Sequence, residues 1–143
     1  MATAVVTIAK ALVQRPDGLV LSLTRSARDY HRPGDYDLPG GSLENGEIVE
    51  VGLARELREE VGLQHPKEPR LLHAATTYYP GDPDDRWSEP RIVTYCLYET
   101  TVPQSFTPKL SEEHDAAEWL PAQELADRLA HTHWGTAIEL GLK

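Results

Sequence analysis

Glu56, Glu59 and Glu60 stand at i, i+3 and i+4 in the stretch Arg55-Glu56-Leu57-Arg58-Glu59-Glu60-Val61. On a helix of about 3.6 residues per turn, that spacing stacks three carboxylates on one face roughly 100° wide. Leu53, Ala54, Leu57 and Val61 fall on the adjoining face, which is apolar enough to pack on a sheet. Like charges four residues apart repel by a few tenths of a kcal/mol when exposed, and by more when partly buried. Arg55 reaches Glu59 only in the less favourable order, and no Lys or Arg stands four residues from Glu56 or Glu60. A divalent cation would relieve that repulsion, and hard oxygen donors suit Mg²⁺ or Mn²⁺. An acidic helix face is by itself more often solvated than ligating, so the surrounding residues have to decide.

Such a face needs a helix held against a sheet, and the rest of the chain supplies both. Thr3 to Val13 is β-branched and apolar enough for a strand, and Leu19 to Leu23 for a second. Pro16-Asp17-Gly18 between them is a hairpin turn signal. Ser26 to Tyr36 reads as a loop, and Leu38-Pro39-Gly40-Gly41 as a short extended piece ending in a glycine pair. A helical pattern begins at Glu47 and stops at Gly62, which suits the C′ position. Arg70 to Tyr79 and Glu89 to Thr100 read as strands around an acidic loop at 80–85, and Ala116 to Leu120 as one more. Pro121 suits N1 of a helix running to Ala130, and Trp134 to Leu140 is helical again. With no internal repeat or linker, strands interleaved with helices predict one α/β (α+β) domain over residues 1–143.

Composition narrows the partners. A formal net charge of −9 opposes broad phosphate-backbone contact, so no nucleic acid partner is expected. It suits a small anionic substrate only if carboxylates hold cations and the cations hold phosphate. No apolar run approaches the roughly 18 residues of a membrane span. The opening Met1-Ala2-Thr3-Ala4-Val5-Val6 lacks the basic and small-residue features of a signal peptide, which predicts a cytoplasmic protein. The single Cys96 excludes an internal disulfide and reads as a small core hydrophobe. His131 and His133 lack a third partner nearby in sequence and are read as surface residues.

The wider spacing settles what the acidic trio left open. Gly41 is followed by five residues, Glu47, seven residues, Arg55-Glu56, an aliphatic, any residue, Glu59-Glu60, any residue, Gly62 and an aliphatic. Chance occurrence of those fixed residues in one chain is on the order of 10⁻⁷ at average usage. This is a complete Nudix box, and the chain resembles the Nudix hydrolase superfamily at every fixed position of residues 41–63. Leu38-Pro39-Gly40-Gly41, Glu113-His114 and Trp119 are also similar to family features.

The resemblance implies an α/β/α sandwich around a mixed sheet, and a metal-dependent hydrolase that cuts a phosphoanhydride bond in a nucleoside diphosphate compound. It implies Mg²⁺ (or Mn²⁺) held by Glu56, Glu59 and Glu60 with the carbonyl of Gly40, where glycine would leave room for an ion beside the main chain. It pairs Glu47, at the helix start, with Arg55 to orient the ligand helix. The general base is either Glu56 in the box or Glu113 downstream, with Glu112 as its substitute. Arg25, Arg28 and Arg32 are candidates for terminal phosphates, and Tyr36, Tyr78, Tyr79, Trp87 and Tyr95 for stacking on a base. Tyr79 and Pro80 match the marks of two subgroups, those acting on dinucleoside polyphosphates and on ADP-ribose, and so select neither. The expected partner is a small-molecule nucleotide, acted on by a monomer or homodimer. A (d)NTP or modified dNTP pyrophosphohydrolase is the leading reading, with ADP-ribose, nucleotide-sugar or dinucleoside-polyphosphate hydrolysis as the alternative. A nucleotide-sensing module would lose box acids that this chain keeps, and an isomerase would need a cysteine near the site.

Overall fold

A strand buried on both faces needs apolar residues at nearly every position, and β1 (Ala4–Gln14) meets that need except at Thr7, Lys10 and its last residue Gln14. Its even residues Ile8 and Leu12 enter one core, and its odd residues Ala9, Ala11 and Val13 enter another. The computed structural model describes residues 3–30, 32–85 and 87–143. Among these, seven strands form one mixed sheet. β2 (Val20–Arg25), β3 (Tyr36–Asp37) and β4 (Gly40–Ser42) follow β1 in the chain. Then come α1 (Val49–Val61), β5 (Lys67–Tyr79), β6 (Arg91–Thr101), β7 (His114–Leu120), α2 (Ala122–Arg128) and α3 (His133–Gly141).

The two cores make the layers. Leu53, Leu57 and Val61 of α1 pack with Ala9, Ala11, Leu21 and Cys96 on one face of the sheet. Leu125 and Leu129 with Trp134 and Ile138 of α3 pack with Ile8, Leu12, Val93 and Leu97 on the other. The expected α/β/α sandwich is what the chain forms. Full burial of Leu53 and Leu57, at about 1.5–3 kcal/mol each, holds α1 and its acids to the sheet. Gly62 ends α1 with φ 75°, and the crossed bonds Gly62 N–H to Arg58 O and Leu63 N–H to Leu57 O close the last turn.

The strand arrangement leaves a fork that positions the site. β1 pairs with β6 in parallel from Ala4–Arg91 to Gln14–Thr101, but it meets β2 only at Gln14–Val20, next to the turn. Beyond that point β1 and β2 diverge, and the segment 36–42 fills the gap. Its first part, β3, pairs with β2 at Leu23–Asp37, and its second, β4, pairs with β1 at Lys10–Gly40. β7 lies along β2 in antiparallel register.

Several boundaries differ from expectation. β5 begins at Lys67, three residues early, because Pro69 hides a strand whose register slips between Lys67 and Arg70. β7 begins at His114, paired with Arg25 across a register shift between Thr24 and Arg25. Tyr36, expected in a loop, starts β3. Glu47 precedes α1, which starts at Val49, because the Glu47 carboxylate accepts from the Glu44 amide in the turn before it. Pro121 is extended at ψ 143° and stands outside α2 as its N-cap, so it is not the first helical residue.

Candidate active site

Lys10, the one charge in β1, is only 8% exposed and carries the fork's filling segment. Its Nζ donates to Asp37 Oδ1 at 2.9 Å, to the Leu38 carbonyl at 3.1 Å and to the Gly40 carbonyl at 3.4 Å. Asp37 Oδ2 accepts from Arg25 Nη1 at 3.0 Å and lies 3.4 Å from His114 Nε2. Burial alone would raise the Asp37 carboxyl, but the charge of Lys10 and the hydrogen bonds from His114 and Lys10 hold it well below the usual carboxylate range. Gly40 has φ 129°, and a Cβ there would lie 2.2 Å from the Ala9 carbonyl oxygen. The close approach of β1 is therefore what demands glycine, a different reason from the room for an ion that the sequence suggested.

The helix acids divide. Glu60, 5% exposed, accepts the Gly40 amide at Oε1 at 2.9 Å. Burial pushes its carboxyl up to about 7, against the pull of Lys10 and that amide. Glu56 is pushed up by burial too, opposed by Arg55, and a Cβ on Gly41 would lie 2.9 Å from its carboxylate carbon. Glu59 is the most exposed of the three, with its side chain 57% exposed and its carboxylate 3.2 Å from Arg55 Nη1. Counting only neighbours four residues away left Glu56 without a cation. The long Arg55 side chain corrects that, since it reaches Glu56 Oε1 at 3.1 Å. The same guanidinium donates to Glu47 from Nε at 2.8 Å and from Nη2 at 3.0 Å, a two-pronged pair. The hydrogen bond from Arg55 pulls the Glu47 carboxyl down to about 2.

Glu56 and Glu60 line a cavity of about 830 Å³ that also takes in Gly40, Gly41, Glu113 and His114. Its wall also includes Tyr79, Trp87, Tyr95 and Trp134. Tyr79 and Trp87 meet edge to face at 5.8 Å, Tyr95 and Trp134 at 5.4 Å, and Tyr79 Oη donates to Asp85 at 2.9 Å. Arg25 and Arg32 border the cavity, but Arg25 is already bound to Asp29 at 2.5 Å and to Asp37. Tyr36 also lines it, while Glu59, Glu112, Arg28 and Tyr78 do not. His131 and His133 are exposed, as expected, yet both form part of the cavity wall, His133 stacked on Tyr95 at 4.5 Å. Cys96 is buried in the α1-side core, with its thiol pushed up by burial, and behaves as the core residue it was read to be.

The sequence reading missed Lys10 and Asp37 and gave His114 no role. Lys10 had a visible signal, a lone cation in an otherwise uncharged strand of eleven residues. Asp37 had none, because its partners lie 27 and 12 residues away in sequence.

The family pattern of the NUDIX domain matches residues 5–139. The chain belongs to the Nudix hydrolase family. A MutT-like protein of Streptomyces ambofaciens is 29% identical over 123 residues, covering 85% of this chain and 68% of that one. The nucleoside triphosphatase NudI of Escherichia coli O139:H28 is 29% identical over 125 residues, covering 83% of this chain and 84% of its own. In structure, a MutT protein of Methanosarcina mazei Go1 superposes with a TM-score of 0.72 at 21% identity, over 99% of this chain and 95% of that one. The donors of this Nudix hydrolase fit a divalent cation. Glu60 is a nearly buried carboxylate that accepts one hydrogen bond, from the Gly40 amide, and one oxygen of it lies within 4.8 Å of ligand atoms of Glu113 and His114. A buried charge without such compensation is costly.

Proposed function

We propose that this Nudix hydrolase cleaves a phosphoanhydride bond in a (d)NTP or modified dNTP and releases pyrophosphate. The observation that carries this reading is that carboxylates and aromatic rings line one and the same cavity. A nucleoside triphosphate carries groups for both, a phosphate chain for cation-holding carboxylates and a flat ring for the aromatics. The volume of about 830 Å³ lies within the roughly 300–1,000 Å³ of small-molecule sites. The likeness to a nucleoside triphosphatase over 84% of that protein supports the same class.

In this reading Glu56 and Glu60, with the Gly40 carbonyl and with Glu59 from the box edge, hold Mg²⁺ or Mn²⁺. When bound, the cation would neutralise charge on the phosphoryl oxygens and acidify a water. Glu113 is the preferred base, because its exposed carboxylate accepts no hydrogen bond among the described residues, whereas Glu56 is held by Arg55. It takes the proton from the attacking water as that water's oxygen bonds to phosphorus. Arg55 and Glu47 keep the ligand helix and Glu56 oriented, and Arg32 lies where it can meet phosphate. Tyr79 in the cavity wall favours a second reading, a dinucleoside polyphosphate substrate, since a ring there would hold its second base.

A panel decides between them. Phosphate and pyrophosphate release is measured with Mg²⁺ across dNTPs, ADP-ribose, nucleotide sugars and diadenosine polyphosphates. Pyrophosphate from a dNTP at the highest kcat/KM is the expected result. Tight binding without turnover of any compound would refute hydrolysis and identify a nucleotide sensor.

A further inference from the structure

We propose that His114 is a nitrogen ligand of the metal centre, bound through Nδ1 while Asp37 holds the other ring nitrogen, and that the centre prefers Mn²⁺ over Mg²⁺. This rests on the hydrolase reading above and adds a donor that lies outside the Nudix box. His114 opens β7 at the register shift beside Arg25 and is 5% exposed. Its Nδ1 is buried and has no hydrogen-bond partner among the described residues. An unsatisfied buried polar atom costs about 1–3 kcal/mol, so a folded protein seldom leaves one without a reason. A cation supplies one here.

The geometry brings the other donors to the ring. One His114 ring nitrogen, one Glu60 oxygen and one Glu113 oxygen all lie within 4.8 Å of one another. Ligands bonded at about 2.0–2.2 Å stand roughly 3 Å apart when adjacent and ~4.3 Å apart when opposite, so small side-chain movements bring His114 and Glu60 onto one ion and leave Glu113 beside it as the base. Asp37 supplies the orientation. It is fixed by Lys10 at 2.9 Å and Arg25 at 3.0 Å, and it faces His114 Nε2 at 3.4 Å. A neutral ring that donates Nε2–H to this carboxylate leaves its lone pair on Nδ1, the carboxylate–histidine–metal arrangement that makes imidazole a stronger donor. An all-oxygen set suits Mg²⁺, whereas replacing one oxygen by imidazole moves the preference toward first-row transition ions. Mn²⁺ is the member of that series that still accepts carboxylates and waters in octahedral geometry.

The test uses the full chain, stripped of metal and titrated with Mn²⁺ under electron paramagnetic resonance, alone and against Mg²⁺. The expected result is Mn²⁺ held about tenfold or more tightly than Mg²⁺, with spin-echo modulation from a directly bonded ¹⁴N. In His114→Gln that modulation should vanish and the preference for Mn²⁺ should fall about tenfold. Bound Mn²⁺ without nitrogen modulation in the unaltered chain overturns the inference, and this result stands even where His114→Gln fails to fold. Modulation that survives in His114→Gln also overturns it, since the bonded nitrogen then belongs to another residue. Either outcome alongside Mg²⁺-supported turnover of the panel leaves the hydrolase reading intact. Absence of all metal-dependent turnover would instead overturn that reading.

Discussion

Glu60 and Glu59 are adjacent in sequence and opposite in circumstance, and this decides which substitution matters more. Glu60 is buried against Gly40 and faces the cavity, whereas Glu59 is exposed and bound to Arg55. Glu60→Gln keeps the shape and removes the charge, so kcat should fall by roughly 10³-fold or more, as expected where a carboxylate holds a catalytic cation. Steady-state kinetics with Mg²⁺ would measure this, and a rate within tenfold of the unaltered enzyme would remove Glu60 from the ligand set. Asp37 gives a prediction about stability. Its carboxyl is depressed below the ordinary 3.8, so its contribution is complete above that pH and is lost as pH falls below it. Asp37→Asn should flatten that acid limb in urea titrations between pH 5 and 2. At pH 7 it should cost about 3–5 kcal/mol, because Lys10 is left buried without its partner.

At the scale of elements, the two box glycines should separate folding from activity. A Cβ at Gly40 meets backbone of β1, which cannot retreat, and φ 129° is strained for any other residue. Gly40→Ala should therefore lower stability by about 3 kcal/mol or more. A Cβ at Gly41 meets only the end of the Glu56 side chain. Gly41→Ala should fold with a melting temperature within a few degrees of the parent and still lose most turnover, read by calorimetry and assay together. Periodicity shows where this kind of information lies. The apolar spacing of Leu53, Leu57 and Val61 and the glycine stop at Gly62 are local properties, so α1 and its acids were legible in the sequence. The same holds for β1, β2 and the turn at Pro16-Asp17-Gly18. β3 is two residues long and owes its existence to the gap between β1 and β2, so no pattern in its own residues announces it. Arg55 was legible as a partner of Glu47 but not of Glu56, because helical spacing rules describe residues three or four apart and not a long side chain folding across its neighbour. His114 and Asp37 meet across 77 residues, a proximity set by strand register alone.

For the whole molecule, burial of Glu60 couples proton to fold, and through the proposed metal site it would couple the cation as well. Its folded pKa of about 7 lies above the ordinary 4.5, so between those values the metal-free folded state binds more protons than the unfolded one. Stability of the metal-free protein should then fall as pH rises from about 4.5 to 7. Melting curves in chelator from pH 5 to 8 should show this decline, and Glu60→Gln should lack it. In the proposed site a divalent cation would replace the lost proton, so Mg²⁺ or Mn²⁺ should raise the melting temperature more at pH 8 than at pH 5. An equal rise at both would show that Glu60 is not the group the cation neutralises.

The segment filling the fork is anchored at both ends, by Asp37 against Leu23 of β2 and by Gly40 against Lys10 of β1. Only Leu38 and Pro39 separate these anchors. The spacing therefore has no slack, and the length of this stretch is as constrained as its chemistry. One residue inserted between Leu38 and Pro39 would turn Asp37 or Gly40 to the wrong side of the sheet, dissolving the Lys10 contacts and the Glu60–Gly40 bond together. The same insertion beside Gly18, at an open turn with nothing within 4 Å of an added Cβ, should pass almost unnoticed. Tolerance to added length, scored by turnover across a library of single-residue insertions, should trace the outline of the active site.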